Sequence, residues 1–401
     1  MNANVFAGGL NRKSAVLAAV LLVVLIVVSL FLVIKPPAQI PKKPFYVGVE
    51  FGFGTQFSQV KATVDEVKNY TNLFVLGALS ITFNLTALNE SCNYIYAAGL
   101  SFIVLFTSYY MYNLNGWSSS YTIFNWTRTA QQIYGDKFLG IYRFDEPGGN
   151  QLDKGKSQII NDTSLSFAQV NEGYVGNLSS IVQYYAHLGN VTPEPAVKIF
   201  TSDYGLYWYD YQAEYTTVFA ELLPNSDNPL TIALDRGAAQ SFNRTWGVIV
   251  TRNSGLPQPL SETQLLSDLY MSYNAGATYA VIFPFNLTGY SYWTLPPQYF
   301  AALQSFWSDL HTNPHLFHSS PAEVAYVAPN DFGFGFRSAT DTIWGLFPAS
   351  SYSYTAKIWN ASQNLLSKYG DDLNIIFDNQ TVIQPILKEY SKVYYYNQTL
   401  T

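Results

Sequence analysis

The amino-acid sequence predicts an α/β fold, a closed (β/α)8 barrel preceded by one N-terminal transmembrane helix and followed by a short C-terminal α/β extension. Short β-branched and aromatic runs alternate with amphipathic helical stretches from Tyr46 to Ala328, and that alternation calls for a parallel sheet covered by helices. The alternating part spans about 280 residues, near the roughly 250 of a typical closed eightfold barrel. Its fourth strand runs into Leu139–Gly149, LGIYRFDEPGG, where two adjacent carboxylates precede a Pro-Gly-Gly turn. Proline and two glycines stop the strand and free the backbone to bend, so Asp145 and Glu146 stand at the carboxyl rim, the functional face of such a barrel.

Residues 1–13 read as a cytoplasmic tail and residues 14–34 as a transmembrane anchor. The run Ala15–Ile34 carries no charge and is apolar except for Ser29, about the 20 residues needed to span a bilayer. Lys35-Pro36-Pro37 follows without a small-x-small cleavage site, which favours an uncleaved anchor over a removed leader. Residues 35–45 form a Pro-rich linker. Arg12 and Lys13 on one flank are matched by Lys35, Lys42 and Lys43 on the other, so charge does not set the orientation. Asn-x-Ser/Thr acceptors at Asn69, Asn84, Asn89, Asn125, Asn161, Asn177, Asn190, Asn243, Asn286, Asn360, Asn379 and Asn397 do: they place the chain beyond the anchor outside the cell, as a glycosylated ectodomain.

The barrel domain is assigned to residues 46–328. Strand Tyr46–Phe51 leads to helix Phe57–Tyr70, which has Val60, Val64 and Val67 at helical spacing. Strand Leu73–Leu76, helix Leu88–Ala98, strand Phe102–Phe106, helix Trp126–Tyr134 and strand Leu139–Phe144 follow. Helix Ser166–Leu188 precedes strand Val197–Thr201, and Phe219–Phe242 reads as helical in parts. Strand Trp246–Thr251, helix Glu262–Ala275, strand Tyr279–Phe283 and helix Gln298–Leu310 complete seven strand-helix units, and Val324–Val327 supplies the eighth strand. The alternative gives Val324 to a small C-terminal βαβαβ unit. Residues 329–401 form the extension, with helix Ala356–Tyr369, strand Asn374–Phe377, helix Val382–Tyr390 and strand Val393–Tyr396.

Charged residues make up only 12% of the chain, below the roughly 25% of ordinary soluble domains, while aromatic residues reach 17%. A net charge of −6 gives no basic face for phosphates, so nucleic acid is excluded as a partner. In an acidic external medium, few carboxylates would mean that little net positive charge develops as they protonate. The lone Cys92 reads as a buried thiol, and His311, His315 and His318 sit in a Pro-containing loop rather than at metal-ligand spacing. No Gly-rich phosphate loop is present, and no cofactor or metal is expected.

If the barrel is right, Glu50, Asp145, Glu146 and Asp203 share one mouth. Glycosidic cleavage needs two carboxyls, one to protonate the leaving oxygen and one to act as nucleophile or base. Adjacent residues on a strand face opposite ways, so one of Asp145 and Glu146 should meet a partner across the mouth while the other supports the rim or pairs with Arg143 or Lys154. Arg143, Tyr204, Trp208, Arg252, Asp331 and Arg337 are candidates for holding substrate, with Tyr204, Tyr207, Trp208 and Tyr209 as an aromatic wall. The FGFG echo at Phe51–Gly54 and Phe332–Gly335 would make a second wall if the first strand neighbours the strand before the second copy.

The FDEP strand end resembles the TIM-barrel glycoside hydrolases, which implies an acid/base carboxyl at Glu146. DEPGG, RGAA at Arg236–Ala239, and NDFGFGFR followed by DTIWGLFP resemble archaeal membrane-anchored barrel proteins similar to those hydrolases. In the common retaining clan a second glutamate ends the seventh strand, but Phe283-Pro284-Phe285-Asn286 stands there in this reading. The expectation is therefore a surface glycoside-hydrolase-like protein using Glu146 as acid with Glu50 or Asp203 as base, by an inverting or altered mechanism. The alternative is a non-catalytic glycan-binding or envelope-structural ectodomain. Glycans, the membrane and cell-envelope proteins are the expected partners.

Overall fold

The computed structural model describes residues 44–106, 123–187, 196–251, 260–284, 293–313, 316–317 and 321–398. The anchor, nearly all of the linker, Asn190, Arg252, Asn286, His315 and His318 lie outside them. Among the described residues no helix is long and apolar enough to cross a membrane. Ten of the twelve sequons are described, and none of those ten asparagines is buried.

Eight parallel strands close into a barrel in chain order. They are β1 (Tyr46–Phe51), β2 (Leu73–Leu76), β3 (Ser101–Leu105), β4 (Phe138–Tyr142), β5 (Ile199–Asp203), β6 (Thr217–Leu222), β7 (Thr245–Thr251) and β8 (Tyr279–Phe283). Closure comes from β8 pairing with β1, Tyr46 against Tyr279 and Val49 against Ile282. The crossovers carry α1 (Phe57–Val67), α2 (Leu79–Thr82), α3 (Leu85–Ala97), α4 (Ile123–Tyr134), α5 (Pro147–Leu152), α6 (Phe167–Ala186), α7 (Tyr207–Gln212), α8 (Asn228–Ser241), α9 (Glu262–Asn274) and α10 (Pro297–Thr312). Val60, Val64 and Val67 of α1 are fully buried, as their spacing requires. Ser166 caps α6 with Gln169 in a reciprocal capping box, which fixes where that long helix starts.

The sequence assignment of the eighth strand is corrected. Val324–Ala328, β9, pairs not with the barrel but with β12 (Leu373–Phe377) and β13 (Lys392–Tyr395) in a separate three-stranded parallel sheet. Between them lie the hairpin β10 (Thr342–Ile343) and β11 (Phe347–Pro348), α11 (Thr355–Tyr369) and the short α12 (Gln380–Ile383). The barrel strand that sequence reading missed is β6, which overlaps the start of the stretch Phe219–Phe242 read as helical in parts. TVFAEL is buried at all six positions, so it lacks the alternation that marks a one-sided strand. Tyr279–Phe283 is consequently the eighth strand and Thr245–Thr251 the seventh.

Two apolar layers hold this arrangement. Outward strand residues such as Val47, Val104, Val218 and Val248 pack on the helices, while Leu73, Ile103, Phe200, Phe219, Ile249 and Tyr279 fill the barrel. Inside, Phe219 stacks between Tyr142 at 6.4 Å and Phe200 at 5.8 Å, forming an aromatic floor beneath the carboxyl rim. Gly140 (φ +144°) sits at the β3–β4 register shift, where a Cβ would lie 2.3 Å from the Lys198 carbonyl oxygen. The C-terminal sheet docks on α8 through buried Arg236, which donates to Asn374 Oδ1 (2.7 Å) and to the carbonyls of Asp371 (2.6 Å) and Leu373 (2.8 Å).

Candidate active site

Strand β4 ends at Tyr142, three residues before the acids, so strand alternation does not govern them. Phe144 (φ 62°) and Glu146 (φ 51°) are both left-handed, an uncommon state for residues with a Cβ. This turn is pinned by Thr201 Oγ1 donating to the Phe144 carbonyl (2.5 Å) and by the Glu146 N–H donating to the Ser202 carbonyl (3.1 Å). Asp145 and Glu146 therefore both serve the mouth, in place of the expected split between rim and site.

The partner of Glu146 is Glu221, near the end of β6, which the sequence assignment had hidden. Phe219 faces the barrel interior, and a period of two brings Glu221 to the same face at the rim. The Glu146 and Glu221 carboxyls face each other across the mouth closely enough to act on each other's charge. Burial, and then the Asp145 charge, pushes Glu146 up to about 7. Glu221 is driven well above the carboxylate range by burial, then by Glu146 and Asp145. Like charges this close cannot both ionise readily, so the pair keeps at least one proton, and below about pH 7 each carboxyl holds its own. Burial favours a protonated Glu221, whose Oε1 lies 2.6 Å from Ser202 Oγ.

Glu50 also reaches the mouth, from β1. Gly77 makes room for it, since a Cβ there would lie 2.2 Å from Glu50 Oε1. Burial, reinforced by Asp145, pushes Glu50 up to about 8. Asp145 is exposed at the rim, yet its Oδ1 is held from within by the Tyr142 hydroxyl at 2.5 Å. Burial in the cleft raises it, against hydrogen bonds from Tyr142 and Ser202 and the charge of Lys156.

Asp203 is placed differently from the expectation. Strand β5 runs through Asp203, so Ser202 takes the inward position and Asp203 the outward one. Its Oδ2 accepts from the Gly148 N–H (2.5 Å) and its Oδ1 from those of Gly149 (2.8 Å), Tyr204 (2.8 Å) and Gly205 (3.2 Å). Asp203 thus anchors the Pro-Gly-Gly turn that carries Glu146. The glycines are required there: a Cβ on Gly148 would meet the Gly205 carbonyl oxygen at 2.4 Å, and one on Gly149 the Tyr204 ring at 2.1 Å. Burial, then Asp210, raises Asp203 well above its usual range.

The expected substrate contacts divide. Tyr204, Glu221, Thr231, Phe336 and Arg337 line a pocket of about 110 Å³ opening beside the acid pair. Arg337 pairs with Asp153 (2.7 Å) and Asp341 (2.8 Å) and lies 5.6 Å from the Tyr204 ring centroid. Arg143 points away from the acids, donating to the Phe106 carbonyl and the Tyr185 hydroxyl with its guanidinium over the Tyr185 ring. Trp208 is 2% exposed and packs on Phe242 and Phe377, so it is core rather than wall. Asp331 Oδ1 accepts from Asn171, and its carbonyl accepts from Trp344. The FGFG copies do not meet as a wall: Phe53 lies on Phe283, whereas Phe332 and Phe334 are buried by the C-terminal unit. Arg252 lies outside the described residues. Among the described residues no group of three or more His, Cys, Asp or Glu could hold a metal ion.

No protein-family model and no curated protein matches the chain. Among solved structures, it is similar to a variant of the GH5_18 glycoside hydrolase from Streptomyces cattleya in complex with Manβ1-4GlcNAc, with TM-score 0.55 and 10% identity over 88% of this chain and 99% of that one. The same Streptomyces cattleya protein with GlcNAc gives TM-score 0.54 at 10% identity, over 88% and 99% of the two chains. A GH5_18 structure from Bifidobacterium longum subsp. infantis gives 0.50 at 10% identity, over 88% and 97%. At that identity the likeness is one of fold, a TIM-like barrel.

Proposed function

We propose that this chain is a retaining glycoside hydrolase, with Glu146 as acid/base and Glu221 as nucleophile. The observation that carries the reading is that Glu146 and Glu221 stand together, each acting on the other's charge, at the carboxyl rim of a closed barrel. Carboxyls that act on each other this directly fit the roughly 5 Å spacing of retaining enzymes better than the roughly 6.5–9.5 Å of inverting ones. Glu146 protonates the glycosidic oxygen as Glu221 attacks the anomeric carbon. Water, deprotonated by Glu146, then releases the sugar from Glu221. The solved structures similar in fold hold Manβ1-4GlcNAc or GlcNAc, so β-linked mannosyl and N-acetylglucosaminyl glycans head the substrates to try. The apolar run Ala15–Ile34 and the surface sequons support a membrane-anchored, outward-facing protein acting on surface or environmental glycans.

One observation favours the non-catalytic alternative, a glycan-binding or envelope-structural ectodomain: both acids of the pair are raised by burial, and attack needs one of them ionised. Incubating the full chain with a glycan panel decides between them. Hydrolysis is expected, with Glu146→Gln and Glu221→Gln each lowering turnover by about 10²-fold or more. Glu221→Gly should regain turnover with azide, a small anion that replaces the missing nucleophile. Glycan binding without release of reducing ends, in the parent chain, overturns the hydrolase reading.

A further inference from the structure

The acid pair is not isolated from solvent. Glu221 Oε1 lies 2.6 Å from Ser202 Oγ, Ser202 Oγ lies 2.7 Å from the Tyr142 hydroxyl, and that hydroxyl lies 2.5 Å from Asp145 Oδ1. Ser202 and Tyr142 are 2% and 3% exposed, and Glu221 is 9% exposed, while Asp145 stands at the open rim. The Ser202 N–H donates to the Tyr142 oxygen at 2.9 Å, which fixes the phenol against the strand that carries the serine. Each hydroxyl has one hydrogen and two lone pairs, so each can accept from one neighbour while donating to the next.

We infer that Ser202 and Tyr142 form a proton relay joining the buried nucleophile Glu221 to the exposed carboxylate Asp145. The inference rests on the proposed role of Glu221 and deepens it. In the resting arrangement, below about pH 7, Glu146 and Glu221 are both protonated, Glu221 donates to Ser202 Oγ, Ser202 to the Tyr142 oxygen, and Tyr142 to ionised Asp145, so that Glu146 keeps its own proton when Glu221 gives one up. Three hops in one direction give ionised Glu221, with Ser202 now donating to it, Tyr142 donating to Ser202, and a protonated Asp145. One proton leaves Glu221 and one reaches Asp145, both hydroxyls stay neutral, and the negative charge moves from the rim to the nucleophile. Asp145 then exchanges its proton with water. The relay thus solves a conflict within the site: burial keeps Glu221 protonated, and attack on carbon requires the carboxylate. Ser202, Tyr142 and Asp145 act through Glu221 and are positioning residues.

The groups acting on the two ends are Glu146 and Asp203 on Glu221, and Glu50 and Lys156 around Asp145. Through-space repulsion alone would couple Asp145 to Glu221 whether or not the hydroxyls are present. The test is a thermodynamic cycle on the full chain, reading the titration of the Glu221 carboxyl by infrared difference spectroscopy, with Glu221→Gln identifying the band. Asp145→Asn is expected to move the Glu221 titration by about one pH unit or more. In the Tyr142→Phe background, and independently in Ser202→Ala, that effect should fall to less than half. An equal Asp145→Asn effect with and without the hydroxyls overturns the relay. The readout needs no turnover, so a chain that shows the coupling but cleaves no glycan refutes the hydrolase reading and leaves the relay standing.

Discussion

Burial of so many carboxyls makes a prediction about stability against pH that can be worked from Glu50. Its pKa in the folded chain is about 8, against 4.5 when unfolded, and it is 7% exposed. Between those values the folded state holds a proton that the unfolded state has lost. Stability therefore falls as pH rises through that window, is fully present below about 4.5, and is lost above about 8. At roughly 1.36 kcal/mol per pH unit, Glu50 alone contributes on the order of 5 kcal/mol of pH dependence. Glu146, raised to about 7 but partly reached by solvent, adds a smaller amount of the same sign between 4.5 and 7. The depressed Asp65 works oppositely, but it is a surface group paired with Lys61 and Lys68, where such contacts are weak. Against a typical total of about 5–15 kcal/mol, the loss is large. Urea unfolding followed by tryptophan fluorescence at steps from pH about 4 to about 8 measures it. Free energy should fall by several kcal/mol, and Glu50→Gln should flatten the curve. A stability that rises or stays level over that range refutes the reasoning.

Gly149→Ala forces a Cβ onto the Tyr204 ring and should cost about 1–3 kcal/mol in thermal unfolding, with a loss of turnover as Glu146 moves. Asp203→Ala strips the acceptor from the N–H groups of Gly148 and Gly149, and denaturant titration should show a loss of about 3 kcal/mol or more. Arg236→Ala leaves the Asp371 and Leu373 carbonyls and Asn374 without their donor. Proteolysis should then cut residues 329–398 faster than the barrel. The acid role of Glu146 predicts that kcat/KM falls as pH rises through about 7, and a profile level to pH 9 would remove Glu146 from that role.

What sequence could read depended on residue boundaries. Seven of the eight barrel strands are legible because each is a short apolar run set between turn residues and an amphipathic helix, and the DEPGG turn announces itself by composition alone. Glu221 was lost because TVFAEL is apolar on both faces and runs quickly into α8, so the whole stretch reads as helix. A Thr-Val-Phe start with β-branched residues was the available signal. Asp203 was misplaced by two residues of strand length. With a strand ending at Thr201 it would hang freely at the mouth, but with β5 extending to Asp203 the pleat turns Ser202 inward and Asp203 toward the Pro-Gly-Gly turn. The closing strand was misassigned because β9 and β6 are both buried runs of similar length, and only pairing register tells them apart.

The same acids tie the chemistry to the medium. A hydrolase whose acid has a pKa near 7 has little use for alkaline surroundings, and the Glu50 linkage makes the fold itself less stable there. A chain with 12% charged residues also gains little repulsive positive charge when its exposed carboxylates are neutralised. These properties favour pH below about 7. Ionising Glu221 is the one requirement that runs against acid, and the proposed relay to Asp145 addresses that step.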